Sequence, residues 1–183
     1  METTKKTNTF WQDMARPVVV LIIICLVASA LLGAVNATTK PVIEENNRIT
    51  AELTRKAALP AASSFEELPV SDELAAMGVT GIYKGDNDTG YVVTASNKGY
   101  GGDVIVTVGF DAAGTILNVD ANVSTETVGV GSKVGERAIL DKFTGLSGTD
   151  SLSDPLRSGA SYTSRAVRTG VDGAIAAVAE LIG

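Results

Sequence analysis

The clearest structural signal in the sequence is the stretch VIVTVGFDAAGTILNVDANV, residues 104–123. Valines stand at alternate positions from 104 to 108, and a second apolar run covers 116–119. Alternation of this kind is typical of a strand with one buried face, and the DAAG segment between the runs has the residues of a tight turn. The stretch therefore predicts a β-hairpin.

The residues before this hairpin predict more of the same sheet. The turn signals GDNDTG and SNKGYGG separate short apolar runs. The four strand candidates are Ile82–Tyr83, Gly90–Ala95, Asp103–Phe110 and Ile116–Val123. Further upstream, Pro60 is expected to end a helix, SSFEE (63–67) to form a turn, and 71–79 to form a short helix or an irregular segment.

The residues after the hairpin predict helices. A helix is expected over 135–145, and apolar residues recur at helical spacing between Val167 and Ile182, which gives a single apolar face. A run of strands followed by helices is typical of an α+β domain. We therefore predict an antiparallel sheet with helices laid on one face.

The N-terminal part of the chain predicts a membrane-spanning helix. Residues 18–35 hold no charge, and the apolar character continues from Pro17 to about Ala37. About 20 residues at 1.5 Å each cross a hydrocarbon core of roughly 30 Å. Lys5, Lys6 and Arg16 precede the span and favour a cytoplasmic N-terminus. Two alternatives stay open, namely a signal peptide cleaved after VNA (35–37) and a lipid on Cys25.

These signals predict a membrane anchor followed by a stalk and a soluble domain. The polar segment 40–58 is interpreted as a helix that leaves the membrane as a stalk, with a thin apolar stripe. The predicted parts are a cytoplasmic N-terminus over 1–16, a transmembrane helix over 17–37, a stalk helix and linker over 38–70, and a soluble domain over 71–183.

Composition excludes several kinds of chemistry. The net charge is −6, so a nucleic-acid partner is not expected. The chain has no histidine and one cysteine, which removes the Ser-His-Asp triad, Cys-based metal clusters and most zinc or haem sites. We predict no metal site and no catalytic acid–base residue. Any redox activity would require an organic cofactor.

Three glycine- or hydroxyl-rich stretches are the candidates for a binding site. NKGYGG (97–102) and STETVGVGSKVGE (124–136) can be ordinary loops, or loops whose backbone approaches a ligand closely. SGASYTS (158–164) lies where the last helix begins. Its hydroxyls can cap that helix, or they can bind a phosphate together with the free N–H groups of the first turn.

The same three stretches carry a resemblance to a known family. SGASYTSRAV (158–167) resembles the flavinylation motif of the FMN-binding G subunit of the Rnf ion-translocating ferredoxin:NAD+ oxidoreductase, and that of the related C subunit of the sodium-pumping NADH:quinone oxidoreductase. GYGGDVIVTVGFDAAGTI and ETVGVGSKV are similar to two further motifs of that family, in the same order. Two departures are Ser161, where the family usually has threonine, and Asp154, which lies four residues before Ser158 rather than three.

The resemblance implies a covalently bound cofactor. A flavin transferase would join the phosphate of FMN to the hydroxyl of Ser161, with Thr163 as a reserve acceptor. The residues implied in holding the phosphate end are Thr163 and Ser164, and Ser158, Gly159 and Ala160 are further implied cofactor-binding residues. The residues implied in approaching the isoalloxazine ring are Glu126, Thr127, Val128 and Gly129.

The resemblance also implies a place in the cell and a set of partners. The chain would be a single-pass protein of the inner membrane, in contact with lipid, with its C-terminal domain extracytoplasmic. It would relay electrons among the other membrane, iron–sulfur and flavin subunits of a complex that exports sodium or protons. A stand-alone anchored flavoprotein and an anchored scaffold without redox function are the alternative interpretations.

Overall fold

The computed structural model describes residues 6–147 and 156–183, with side chains from residue 14 onward. It divides the chain into two compact units, residues 1–50 and residues 51–183. Asp154 and its spacing to Ser158 lie outside the described residues.

Helix α1 (Lys6–Ala58) supplies the whole described part of the first unit and continues into the second. Its side chains from 18 to 35 are exposed and apolar. Among the described residues, α1 is the helix whose length and hydropathy are sufficient to cross a membrane. The helix ends two residues before Pro60, as the sequence predicts.

The second unit is built on a five-stranded antiparallel sheet whose strands are ordered as in the chain. Its strands are β1 (Phe65–Leu68), β2 (Val79–Gly85), β3 (Tyr91–Lys98), β4 (Asp103–Phe110) and β5 (Ile116–Asn122). Its helices after α1 are α2 (Asp72–Ala76), α3 (Arg137–Leu140) and α4 (Ser161–Ile182), and 3-10 turns cover 131–135 and 141–143. The predicted α+β fold is confirmed.

Two local predictions are wrong. The segment 63–67, expected as a turn, contributes to strand β1, because Phe65–Leu68 pairs with Ile82–Gly85 along the sheet edge. The single helix expected over 135–145 is a four-residue α-helix between two 3-10 turns. Ile139, Leu140 and Phe143 are nevertheless buried, so short helical turns place these apolar residues in the core.

Helix α4 covers one face of the sheet. It packs across β3 and β4, and its buried residues form one core with the inward-facing valines of those strands. Gly170 makes the close approach possible, because a Cβ at that position would lie 3.0 Å from Cγ2 of Val106. The prediction of a single apolar face on this helix is confirmed.

The opposite face of the sheet is contacted by the end of α1 and by the segment that follows it. Ala58, the last residue of α1, is buried there with Leu59, Ala62 and Val92. Gly109 of β4 lies directly beneath the helix end, where a Cβ would lie 2.6 Å from the carbonyl carbon of Ala58. The Asn118 amide donates to the Ala57 carbonyl oxygen at 3.1 Å. The buried residues of α2, α3 and α4 belong to the core on the other face, as expected.

Candidate functional site

Helix α4 begins with an uncapped N-terminus. Ala160 is its N-cap residue, with φ −116° and ψ 47°, and no side chain forms a capping hydrogen bond there. The first backbone bond of the helix runs from the Ser164 N–H to the Ala160 carbonyl, at 2.9 Å. The capping role considered for the serines is therefore wrong in the described structure. The partial positive charge of the helix N-terminus remains available to an anion.

The hydroxyl residues of the first turn divide into an exposed and a buried set. Ser161 is exposed, whereas Thr163 is 1% and Ser164 is 4% exposed. The Ser164 hydroxyl has no hydrogen-bond partner among the described residues. A buried polar atom without a partner is uncommon in folded proteins and is a signature of a group that binds something else. Here it points to a ligand with acceptor atoms, such as a phosphate.

Glu126 is the buried charge of this region. The carboxylate is 5% exposed; its Oε2 accepts the Thr163 hydroxyl at 2.5 Å, and its Oε1 accepts the Gly101 N–H at 3.0 Å. Burial raises the pKa of Glu126, but the Thr163 hydroxyl and the N–H groups of Gly101, Gly102 and Tyr100 outweigh burial and hold the pKa below its ordinary value. The carboxylate is therefore ionised at neutral pH.

Glycines surround this carboxylate because no side chain fits beside it. A Cβ at Gly131 would lie 2.8 Å from both Oε2 of Glu126 and Oγ1 of Thr163. A Cβ at Gly99 would overlap Oε1 of Glu126, and one at Gly101 would overlap the Thr125 carbonyl oxygen. The glycine-rich stretches 97–102 and 124–136 thus meet at one point, where close packing around Glu126 accounts for their composition.

A cavity of about 160 Å³ opens at the start of α4. Its lining includes six of the residues that the resemblance implied, namely Glu126, Thr127, Gly159, Ala160, Ser161 and Thr163. It also includes four residues that sequence reasoning missed, namely Tyr100, Val130, Gly131 and Tyr162. All four stand inside the three quoted motifs. Their position beside the predicted site residues was the signal that could have identified them.

The remaining four implied residues do not line this cavity. Ser158 is exposed, Val128 is 90% exposed, and Gly129 has φ +80° in the loop between β5 and the 3-10 turn at 131–135. Ser164 lies beneath the surface of the first turn. Two larger cavities of about 340 and 420 Å³ lie beside β1 and β2 and contain none of the motif residues.

The charge and size of the site fit the phosphate end of a nucleotide. The uncapped N-terminus of α4 and the Ser161 hydroxyl, which lines the cavity, fit an anion with several acceptor oxygens. Pockets that enclose a complete ligand measure roughly 300–1,000 Å³, so a cavity of about 160 Å³ is smaller than one that encloses a whole flavin. Within the described residues, no group of three or more Asp, Glu, Cys or His side chains could hold a metal ion.

Comparison with known proteins identifies the class to which this site belongs. The family model described as the FMN-binding domain matches residues 99–176. The matched part runs from the loop before β4 through Glu126 to most of α4, so it contains the cavity and the three motifs. This part of the chain is similar to FMN-binding domains.

A curated relative extends the similarity to nearly the whole chain. It is the G subunit of the proton-translocating ferredoxin:NAD(+) oxidoreductase complex of Clostridium ljungdahlii, which is 25% identical over 177 residues. The alignment covers 89% of this chain and 90% of the relative. The resemblance to the G subunit of the Rnf complex is thereby confirmed, and a likeness of this extent includes most of α1 as well as the domain.

Proposed function

We propose that this chain is a membrane-anchored flavoprotein that relays electrons through FMN joined covalently to Ser161, within an ion-translocating ferredoxin:NAD+ oxidoreductase complex. The observation that carries the proposal is the exposed Ser161 hydroxyl at the uncapped start of α4, inside the matched FMN-binding domain. The transported ion would be sodium or the proton. The partners would be the other membrane, iron–sulfur and flavin subunits of that complex.

Exposure supports Ser161 over Thr163 as the acceptor. A transferase must reach the oxygen that it modifies, and the Thr163 hydroxyl is buried and already donates to Glu126. Ser161 is exposed and lines the cavity. In the proposed reaction the Ser161 oxygen bonds to the phosphorus of the FMN half of a flavin dinucleotide. The diphosphate P–O bond breaks, and a nucleoside monophosphate departs together with the serine proton. The chain gains one FMN less one water.

The protein's own contribution would be to hold and orient the cofactor. The N-terminus of α4 stabilises the phosphate charge, a favourable interaction of about 0.3–1 kcal/mol, or up to about 2 kcal/mol when partly buried. FMN supplies the redox chemistry when bound. A covalent bond prevents loss of the cofactor by dilution, which suits a domain placed outside the cytoplasm.

Intact mass tests the attachment. The full chain is co-expressed with a flavin transferase and purified in detergent, and its intact mass is measured together with those of Ser161→Ala, Thr163→Ala and the control Ser63→Ala, at an exposed serine outside the cavity lining. We expect wild type and Ser63→Ala to carry one FMN less water, and Ser161→Ala to carry nothing. Loss of the flavin in Thr163→Ala with retention in Ser161→Ala would move the acceptor to Thr163. An unmodified wild type would reject the covalent proposal.

We further propose an N-terminus in the cytoplasm and residues 40–183 outside it. Lys5, Lys6 and Arg16 before the apolar span support this orientation. Protease added to spheroplasts should digest the C-terminal domain and spare an N-terminal epitope tag. Protection of the domain in sealed spheroplasts, with digestion after detergent treatment, would reverse the orientation. A mature chain that starts after residue 37 would instead show a cleaved signal peptide.

A further inference from the structure

Two exposed tyrosines border the cavity at the start of α4. Tyr100 lies in the loop between β3 and β4 and is 74% exposed, and Tyr162 is the second residue of α4 and is 61% exposed. Their ring centroids are 6.2 Å apart, and their planes are tilted by 51°. Aromatic side chains stabilise a fold by burying their rings, and these two rings contribute little to the core. The packing of the domain therefore does not account for them.

The size of the cavity places a flavin ring near these tyrosines. A flavin tethered through its phosphate to Ser161 has its ring system at the far end of a short ribityl chain. The ring does not fit inside a cavity of about 160 Å³, so it lies at the rim. Tyr100 and Tyr162 both belong to that rim, and Tyr162 is adjacent to Ser161 in the chain.

We propose that Tyr100 and Tyr162 form an aromatic platform on which the isoalloxazine ring of the tethered FMN stacks. The proposal rests on the proposed function and adds two cofactor-contacting residues to it. Stacked rings approach to about 3.5 Å, so a third ring between two parallel rings needs about 7 Å. The tyrosine ring centroids are closer than that, so the flavin would lie against the pair rather than between the two rings.

The platform has an optical signature that a purely structural role would not produce. A phenol ring in contact with a photoexcited flavin donates one electron to it and recovers that electron when the pair returns to the ground state. No net reaction occurs, but the fluorescence of the flavin is quenched. Leucine cannot donate in this way, and phenylalanine keeps the stacking surface although it is much harder to oxidise.

The experiment compares flavin fluorescence lifetimes in full-length chains that carry equal flavin loads by intact mass. The variants are Tyr100→Leu, Tyr162→Leu, the double leucine variant and the two corresponding phenylalanine variants. Tyr83→Leu is the control, because Tyr83 does not line the cavity at the start of α4. Its ring packs instead against the buried residues at the end of α1, with the Arg55 guanidinium 4.2 Å from the ring centroid. Both platform residues are exposed, so their substitution should leave the fold intact.

We expect a severalfold longer lifetime in the double leucine variant, intermediate lifetimes in the single variants and no change in the control. The phenylalanine variants should lengthen the lifetime while they keep the wild-type absorption maximum of the flavin. A wild-type lifetime in the loaded double variant would overturn the platform and leave the proposed attachment standing. An unmodified wild-type chain would overturn both. If the leucine variants carry no flavin, the phenylalanine variants are compared instead. A longer fluorescence lifetime in them supports the platform, and a wild-type lifetime rejects it.

Discussion

The Thr163 hydroxyl donates a 2.5 Å hydrogen bond to Oε2 of Glu126, and this bond joins the first turn of α4 to the loop after β5. Both side chains are buried. The second oxygen of Glu126 accepts the N–H of Gly101, in the loop between β3 and β4. Three segments that are distant in sequence therefore converge on one carboxylate, which lines the same cavity as the proposed acceptor Ser161.

Removal of the Thr163 hydroxyl should destabilise the domain. Thr163→Val leaves one buried oxygen of Glu126 without its donor, and an unsatisfied buried polar group costs about 1–3 kcal/mol. Thr163→Ser keeps the hydroxyl and should recover most of that loss. Denaturant unfolding of the detergent-solubilised full chain measures both. Equal stability of the valine variant and wild type would show that the bond contributes nothing.

The stability of the domain should fall with acid in a way that depends on Glu126. The pKa of Glu126 is lower in the folded state than in an unfolded chain, so its ionised form stabilises the fold above the unfolded pKa of about 4.3. That contribution is lost as the pH falls through the lower, folded pKa. The difference in unfolding free energy between wild type and Glu126→Gln should be constant from pH 6 to 8 and shrink below about pH 4.

Thr163→Val provides an independent check on this interpretation. The hydroxyl is one of the groups that lower the pKa of Glu126, so its removal should raise that pKa towards its unfolded value. The loss of stability with acid should then be smaller in the valine variant than in wild type and should be complete at a higher pH. Superimposable acid profiles for wild type, Thr163→Val and Glu126→Gln would show that another group controls acid unfolding.

The charge of Glu126 should also lower the reduction potential of the bound flavin. Reduction adds negative charge to the ring, and a nearby ionised carboxylate opposes that change. Glu126→Gln should therefore raise the midpoint potential, by about 30 mV for each tenfold change in a two-electron equilibrium. Potentiometric titration of the flavin-loaded full chain measures the shift. A lower potential in the glutamine variant would contradict the prediction, and Glu136→Gln, at a site outside the cavity lining, is the control.

The sequence predicted the parts of this fold that have a strong local pattern. The hairpin at 104–123 and the apolar face of α4 were correct because alternation and helical spacing report directly on burial. Strand β1 was missed because Phe65–Leu68 has only two apolar residues and is held at the sheet edge by pairing with β2. The packing of α1 against the second face depends on Gly109, and a glycine within a strand does not indicate what approaches it.

The site was predicted only in part, for a similar reason. The motifs located the loops and the start of α4, but no pattern in the sequence showed that Glu126 would be buried against Thr163 or that Ser164 would lack a partner among the described residues. Both facts depend on how segments that are far apart in the sequence pack together in the fold. Ser161 and Thr163 stand two residues apart in one motif, so the sequence does not distinguish them. In the fold Ser161 is exposed whereas Thr163 is buried, and this difference supports Ser161 as the acceptor.

Gly131→Ala should disrupt the site through a steric clash. The added methyl group would lie 2.8 Å from both Glu126 Oε2 and Thr163 Oγ1 and would force the pair apart. Gly129→Ala gives the opposite case, because its φ of +80° costs about 1–2 kcal/mol for alanine although nothing lies within 4 Å of the added atom. Gly131 has no positive φ, so a loss of stability in Gly131→Ala comes from the clash. We expect lower stability and reduced flavin loading in Gly131→Ala. Wild-type stability and loading in that variant would show that the neighbouring oxygens move aside without cost.

Gly109→Ala should detach the end of α1 from the sheet. An added Cβ would lie 2.6 Å from the carbonyl carbon of Ala58 and closer still to its oxygen, and backbone atoms cannot move aside as a flexible side chain can. Overpacking of this kind costs about 1–3 kcal/mol, occasionally more. Gly173→Ala in α4 is the control, since its nearest neighbour would be a side-chain atom of Val79 at 3.3 Å and alanine favours the helix. Thermal unfolding and limited proteolysis near residue 60 should both respond to Gly109→Ala and not to Gly173→Ala. Resistance to the protease in Gly109→Ala would mean that the helix end shifts without leaving the sheet, and that this contact adds little to the stability of the domain.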